Sequence, residues 1–175
     1  MAIMTVLGDI TRQDVDVVVN AANSTLLGGG GVDGAIHAAA GPGLLAACRE
    51  LRRTTWPQGL PVGHAVATPA FDLPARWVVH TVGPDRHRGQ DDPALLASCF
   101  TASLDVADGL GATSIAMPAV GAGVYGWDAV QAADVAVGAT RSWVDAHPTT
   151  PLTVIRFVLF SPRLLAAFDA ALARG

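Results

Sequence analysis

Residues 20–34 read NAANSTLLGGGGVDG, a segment with four consecutive glycines (Gly28–Gly31) and a carboxylate at Asp33. It follows a short run of β-branched residues and precedes a stretch with helical spacing, so it predicts a strand–loop–helix connection. Each glycine costs conformational entropy on folding and provides no side chain to pack. We therefore interpret the loop as backbone that is left bare so that a ligand can approach its amide groups.

A second glycine-rich loop occurs in SIAMPAVGAGVYG, residues 114–126. Both loops contain G-x-G-x-x-G, but a dinucleotide-binding fingerprint opens the first βαβ unit and has an acidic residue about 20 positions later. After Gly126 that position falls near Asp145, inside a predicted helix, so the match to this fingerprint is weak. Amides beside helix N-termini bind phosphate oxygens. A single loop of this kind is better explained as a tight turn than as a phosphate site. Two such loops in one small chain favour a bound diphosphate.

The order of the predicted elements indicates the fold class. Predicted strands cover residues 1–7, 15–19, 63–71, 76–84, 113–120 and 153–160, and predicted helices cover 34–40, 42–53, 92–109, 128–146 and 162 onward. This alternation predicts an α/β fold, a three-layer α/β/α sandwich, in a single domain over residues 1–175. Pairing of the first two strands, and of 64–70 with 76–82, argues against an entirely parallel sheet. We expect a mixed sheet of roughly six strands.

Composition excludes several classes of function. Hydrophobic residues make up 51% and charged residues 15%, which excludes disorder, and the net charge of −4 argues against a general nucleic-acid binder. All eleven basic residues are arginine, so lysine Schiff-base chemistry and a P-loop are excluded. We find no signal peptide or transmembrane segment, and we expect Cys48 and Cys99 to be buried thiols in a cytoplasmic monomer.

Four segments resemble macrodomains of the MacroD type, in the order found in that family. They are GDIT (8–11), NAANSTLLGGGGVDGAIH (20–37), VVHTVGP (78–84) and SIAMPAVGAGVYG (114–126). The likeness covers nearly the whole chain, and the first loop is its most specific part. The second loop is looser, because Ala122 stands where many members have a hydroxyl residue. The resemblance implies binding of ADP-ribose and hydrolysis of mono-ADP-ribose from acidic side chains of modified proteins. The lysine-dependent branch of macrodomain hydrolases is excluded.

Transferred residue by residue, the resemblance implies substrate contacts along both loops and at two further points. These positions are Asp9, Ile10, Ala22, Asn23, Gly30, Gly31, Val32, Asp33, Pro118, Gly121, Ala122, Gly123, Val124, Tyr125 and Phe160. Asp9 would accept a hydrogen bond from the adenine amino group, or it simply caps the turn after the first strand. Phe160 would stack on adenine, or it belongs to the core. Tyr125 would pack on the distal ribose, or it is an ordinary half-buried aromatic residue.

Two residues are the candidates for catalysis. The resemblance implies that Asn23 hydrogen-bonds the distal ribose, although an asparagine at a strand end also commonly bonds its own turn. Asp33 is by default a helix N-cap, but beside a ribose it becomes a candidate for orienting water. Glycoside hydrolysis usually pairs two carboxylates. One can suffice here, because an ester at C1″ releases a carboxylate, and we expect a phosphate oxygen of the substrate to help take the proton.

Several alternatives remain open at this stage. The histidines show no metal-ligand spacing, so we expect a metal-independent enzyme without a cofactor, and we expect His37 to be packed or hydrogen-bonded. O-acetyl-ADP-ribose deacetylation would be a related activity, because that ester lies on the same ribose. The rival functions are a non-catalytic ADP-ribose reader and a hydrolase of ADP-ribosylated nucleic-acid ends. Asp33 favours the enzyme over the reader.

Overall fold

The computed structural model describes every residue from Met1 to Gly175. The strands are β1 (Ala2–Leu7), β2 (Val17–Ala22), β3 (Ala65–Pro69), β4 (Trp77–Val82), β5 (Ser114–Met117) and β6 (Val154–Leu159). The helices are α1 (Gly31–Ala40), α2 (Pro42–Arg53), α3 (Pro93–Gly109), α4 (Ala129–Ala146) and α5 (Pro162–Ala173). Two single 3-10 turns cover Ile10–Arg12 and Arg86–Arg88.

The strands form one six-stranded sheet in the order β1-β6-β5-β2-β4-β3. Neighbouring strands are parallel except β3 and β4, so the predicted mixed sheet and the pairing of these two strands are confirmed. The predicted pairing of the first two strands is wrong, because β6 and β5 lie between them. Because β1 and β2 run in the same direction, residues 8–16 return the chain to the start of β2 instead of forming a hairpin.

Alternation along β2 shows how the sheet is covered on both faces. Val17 and Val19 belong to the larger core, which α3, α4 and α5 cover, and its rings include Phe157 between Phe100 and Phe168. Val18 belongs to the smaller core under α1 and α2. Burial on both faces matches the continuous apolar runs of parallel strands. The three-layer α/β/α sandwich is confirmed.

Helix starts follow the cap signals in the sequence. Asp92, Asp128 and Ser161 each accept a hydrogen bond from a first-turn amide of α3, α4 and α5. Caps of this kind contribute about 1 kcal/mol each. Cys48 and Cys99 are free thiols and both are buried, as predicted. None of the helices combines the length and apolar character needed to cross a membrane.

The parallel strands bring the loop segments to one edge of the sheet. Because β1, β6, β5, β2 and β4 all run in the same direction, their carboxyl ends lie side by side, and this is where ligands bind in open α/β sheets. The segment after β1 contains Asp9, the one after β6 begins with Phe160, and β5 and β2 lead into the second and first glycine-rich loops.

Candidate active site

A cleft of about 560 Å³ opens at this edge, between the first loop (residues 23–30) and the second loop (residues 118–128). Its volume lies in the range of small-molecule sites. The two loops meet because β2 and β5, from which they emerge, are neighbouring strands. The cleft is lined by Ala21, Ala22, Asn23, Gly29, Gly30, Gly31, Val32, Asp33, Pro118, Ala119, Gly121, Gly123, Val124, Tyr125 and Phe160.

Three of the predicted contact residues do not line the cleft. Ala122 packs its methyl group against the larger core and donates its amide to Ala119 O, so the structure does not bring it into the cleft. Asp9 and Ile10 follow β1, one strand beyond the lining residue Phe160. Sequence reasoning in turn missed the lining positions Ala21, Gly29 and Ala119. Each is next in sequence to a predicted residue: Ala21 to Ala22 at the end of β2, Gly29 to Gly30, and Ala119 to Pro118.

Asp9 caps the 3-10 turn after β1, as one of its two interpretations predicts. Its Oδ1 accepts hydrogen bonds from Thr11 Oγ1 at 2.7 Å and Thr11 N at 2.9 Å. These bonds lower the pKa of the Asp9 carboxyl below its ordinary value. The carboxylate stays about half exposed, so a contact with adenine remains a prediction.

Both loops present backbone amides without partners in the chain. The first helical bond of α1 runs from Gly34 N to Gly30 O at 3.2 Å, so the amides of Gly31 and Val32 lack a helical acceptor. In the second loop, the amides of Gly121, Gly123, Val124 and Tyr125 make no hydrogen bond within the protein. Two sets of donors therefore border one cleft, and one of them belongs to a helix N-terminus, which favours an anion.

Asp33 lies inside the first turn of α1, so its interpretation as an N-cap is wrong. The N-cap is Gly30, because the helix begins earlier than the sequence predicted. Asp33 is 5% exposed, and its Oδ1 accepts a hydrogen bond from Asn20 Nδ2 at 2.8 Å. His37 Nε2 lies 3.4 Å from the same oxygen. A mostly buried carboxylate with a donor behind it and an oxygen beside the cleft can hold a water molecule.

Asn23 ties the first loop together. Its Nδ2 donates to Gly28 O at 3.0 Å, and its Oδ1 accepts from Thr25 N at 3.1 Å. The turn-forming interpretation is therefore correct. An amide nitrogen has two hydrogens. Only one of these two hydrogens has a partner within the chain, so the other is free to donate. A contact with a ribose hydroxyl is still a prediction.

A buried polar layer behind Asp33 was missed in the sequence. His80 Nδ1 lies 3.1 Å from Asn20 Nδ2, and His80 Nε2 lies 3.0 Å from Thr68 Oγ1. Burial lowers the pKa of His80 to about 3 and raises that of the neighbouring Cys48 thiol to about 11. Their positions in the sequence could have indicated this layer. Asn20 and His80 stand two residues after Val18 and Val78, and side chains two residues apart in a strand lie on the same face of the sheet.

The second loop is anchored by a segment that follows β4. Trp127 is buried and donates its Nε1 hydrogen to Pro84 O at 2.9 Å, while the Arg86 guanidinium lies 5.0 Å from the Trp127 ring. Arg86 N donates to Tyr125 O at 3.0 Å. Tyr125 is half-buried, and this burial raises the pKa of its hydroxyl above the ordinary value.

Phe160 lies on the surface of the cleft. Its side chain is 68% exposed, so the interpretation of Phe160 as a core residue is wrong. Val124, on the second loop, is 86% exposed. An exposed ring beside an apolar rim suits a flat heterocycle, and stacking on adenine remains a prediction.

A second depression on the surface is a weaker candidate for a ligand site. A depression of about 440 Å³ lies at the opposite edge of the sheet, beside Asp14, Asp16 and Arg76. The Asp16 carboxylate is already bonded to Thr113, at 2.7 Å from its amide and 2.9 Å from its hydroxyl. No group of three or more His, Cys, Asp or Glu side chains is arranged to hold a metal ion.

This chain is similar to known proteins in both sequence and fold. Residues 19–136 match the family model described as Macro domain. An O-acetyl-ADP-ribose deacetylase of Cronobacter sakazakii is 52% identical over 172 residues, which cover 94% of this chain and 93% of that protein.

Two solved structures show the same fold. The Oceanobacillus iheyensis macrodomain with ADP superposes with a TM-score of 0.92 at 40% identity, covering 97% of this chain and 89% of that one. The Trypanosoma brucei macrodomain in complex with ADP-ribose gives 0.88 at 36% identity, covering 97% and 68%. In fold and in sequence, this chain belongs to the macrodomain family.

Proposed function

We propose that this protein binds ADP-ribose along the cleft and hydrolyses the ester bond that joins mono-ADP-ribose to acidic side chains of proteins. The observation that carries the proposal is the meeting of two sets of unpaired amides beside the buried carboxylate of Asp33. Such amides can bind a pyrophosphate without cationic side chains. The nucleotides in the structural relatives and the deacetylase among the sequence relatives support the same ligand and class of reaction.

The order of strands at the carboxyl edge suggests how the ligand would lie. Asp9 and Phe160 follow β1 and β6 at one end, and Asn23 and Asp33 follow β2 toward the other. Adenine would stack on Phe160, the pyrophosphate would lie between the loops, and the distal ribose would lie beside Asn23 and Asp33.

In the proposed reaction, Asp33 orients a water molecule toward C1″ of the distal ribose, and Asn23 hydrogen-bonds the ribose. The water oxygen bonds to C1″ while the C1″–O bond to the acceptor breaks, and the acceptor leaves as a carboxylate. The proton of the water passes to a phosphate oxygen of the substrate. One enzyme carboxylate suffices, although glycosidases usually need two, because this leaving group requires no strong acid.

The same site would deacetylate O-acetyl-ADP-ribose, since that substrate carries an ester on the same ribose. The chemistry requires neither a metal ion nor a cofactor. Mono-ADP-ribosylated proteins would be the macromolecular partners, and nucleic acid would enter only through an ADP-ribosylated end.

Calorimetric titration with ADP-ribose tests the ligand, and release of ADP-ribose from a protein modified on acidic residues tests the reaction. Asp33→Asn keeps the shape of the side chain and removes its charge, and we expect it to lower kcat at least about 100-fold with binding retained. Asn23→Ala should lower turnover as well. Binding without turnover by the wild type would make the protein a reader. Turnover only of modified nucleic-acid ends would change the substrate class, and absence of binding would overturn the proposal.

A further inference from the structure

A line of buried polar side chains runs from Asp33 across strands β2, β4 and β3. Asn20 Nδ2 donates to Asp33 Oδ1 at 2.8 Å and lies 3.1 Å from His80 Nδ1. His80 Nε2 lies 3.0 Å from Thr68 Oγ1. The four residues are between 0% and 5% exposed. Polar groups buried this deeply are costly unless they are hydrogen-bonded, so their arrangement is constrained.

These contacts assign the proton of the His80 ring. An ionised carboxylate only accepts hydrogen bonds, so Asn20 must present its amide nitrogen to Asp33. The same nitrogen faces His80 Nδ1, which must therefore accept. His80 Nε2 then carries the proton and donates it to Thr68 Oγ1. The low pKa of about 3 keeps the ring neutral at pH 7, so one ring nitrogen remains an acceptor.

The tautomer of His80 in turn reinforces the amide orientation that Asp33 requires of Asn20. The opposite amide orientation would set Asn20 Oδ1 against both the Asp33 carboxylate and the lone pair of His80 Nδ1. If His80 instead carried its proton on Nδ1, that orientation would gain a hydrogen bond, and Asp33 would lose its donor. Asn20 Oδ1 has no hydrogen-bond partner. The orientation of the Asn20 amide is therefore determined by the two contacts of its nitrogen, with Asp33 and His80.

The contacts behind Asp33 involve one of its two oxygens. Asn20 and His37 both approach Oδ1. A Cβ at the cleft residue Gly29 would lie 3.1 Å from Oδ2, so Oδ2 is the oxygen beside the first loop. Fixing Oδ1 from behind therefore fixes the orientation of Oδ2 at the cleft.

We propose that Thr68 and His80 are positioning residues for Asp33: Thr68 anchors the His80 ring by accepting from Nε2, and His80 Nδ1 holds the Asn20 amide with its nitrogen toward the carboxylate. The inference rests on the proposed role of Asp33 and extends it to two residues that do not line the cleft. Their loss would affect the reaction step more than nucleotide binding.

Thr68→Val tests the proposal with a side chain of the same shape, and Thr68→Ser is the matched control that keeps the hydroxyl. We expect Thr68→Val to lower kcat about tenfold, the size that follows from one lost buried hydrogen bond, with the ADP-ribose Kd within about twofold. Thr68→Ser should retain kcat within about twofold. If Thr68 had a purely structural role, Thr68→Val would change the stability of the protein without lowering kcat selectively over Kd.

A second pair of variants separates the two ring nitrogens. His80→Asn keeps an acceptor near the Nδ1 position, whereas His80→Gln keeps a donor near the Nε2 position. We expect His80→Asn to retain more kcat than His80→Gln, because the acceptor is what holds Asn20. The reverse order would overturn the proposal.

Nitrogen-15 shifts of the histidine rings provide a readout that does not depend on activity. The wild type should show His80 protonated at Nε2 and unprotonated at Nδ1. A wild-type ring protonated at Nδ1, or wild-type kcat in Thr68→Val, would overturn the inference. If the wild type turns over no ester, the proposed function fails instead, and the nitrogen-15 spectrum still decides the tautomer.

Discussion

Asn23 and Asp33 approach each other at the bare backbone of Gly29. A Cβ at Gly29 would lie 3.1 Å from Asp33 Oδ2 and 3.4 Å from Asn23 Nδ2. The contact with Asp33 Oδ2 is short enough to require a neighbour to move, whereas the contact with Asn23 Nδ2 is at the limit of ordinary packing. The two candidate catalytic side chains can thus occupy their positions because this residue has no side chain.

Gly29→Ala should therefore displace Asp33 or Asn23 by a few tenths of an ångström. We expect kcat on a mono-ADP-ribosylated protein to fall about threefold to tenfold, because catalysis is sensitive to small errors of position. Steady-state kinetics, with calorimetry for ADP-ribose, would measure both effects. Gly138→Ala is the control: Gly138 is exposed in α4 with nothing within 4 Å of an added Cβ, and its turnover should be unchanged. Full activity in Gly29→Ala would contradict this reasoning.

Phe160→Ala should weaken ADP-ribose binding about tenfold, since stacking of one base on an aromatic ring contributes about 1–3 kcal/mol. Because Phe160 is 68% exposed, the free energy of unfolding should change little. Calorimetry and urea denaturation would measure the two quantities. Phe160→Trp keeps a stacking surface and should bind within about threefold of the wild type. Equal affinities for Phe160→Ala and the wild type would show that adenine lies elsewhere.

Local features of the fold could be predicted from the sequence, whereas the order of strands could not. Caps such as Asp92 and Ser161 act within one turn of the helix that they begin, so neighbouring residues are enough to identify them. The separation of β1 from β2 depends on β5 and β6, which are more than 90 residues further along the chain. No local pattern in residues 1–22 indicates that two later strands lie between β1 and β2.

The candidate site divides in the same way. The two glycine-rich loops and Asp33 are contiguous motifs after strands that end at one edge, so the sequence identifies them. Thr68 and His80 are polar residues within largely apolar strands. His80 contacts Asn20 because the two residues pair across β2 and β4, and Thr68 contacts His80 from the neighbouring strand β3. Their burial is indicated only by strand alternation, which places Asn20 on the same face of the sheet as Val18. Asp33 was misinterpreted as a cap because α1 begins at Gly31 rather than at Gly34.

Trp127→Phe should weaken both stability and ligand binding, because it removes the hydrogen bond to Pro84 O that anchors the second loop. We expect the free energy of unfolding to fall by about 1–3 kcal/mol and the Kd for ADP-ribose to rise severalfold. Trp143→Phe is a matched control, since buried Trp143 donates to Asp105 Oδ1 at 2.6 Å near the C-terminal end of α4, whereas the loop precedes its N-terminal end. It should lower stability without changing Kd. Equal effects of both variants on Kd would argue against a specific anchor.

The neutral His80 ring should make the protein sensitive to acid. The pKa of His80 is about 3 in the folded chain, below its ordinary value of 6.5, because burial disfavours the charged ring. Between these values the unfolded chain binds a proton that the folded chain does not. The stabilisation that comes from keeping His80 neutral is therefore complete above about pH 6.5 and is lost as the pH falls toward about 3.

Urea denaturation between about pH 4.5 and 7.5 tests this expectation by comparing the wild type with His80→Gln, which cannot titrate at that position. At the upper end of the range the two proteins should differ only by the constant cost of the substitution. Below about pH 6 the wild type should lose stability more steeply, by up to about 1.4 kcal/mol per pH unit, which corresponds to one proton. The other titratable groups are common to both proteins, so the difference between the two slopes reports the proton of His80 together with its charge interaction with His37. Parallel curves would mean that the folded protein takes up this proton as readily as the unfolded chain, and His80 could not then be the neutral acceptor that orients Asn20.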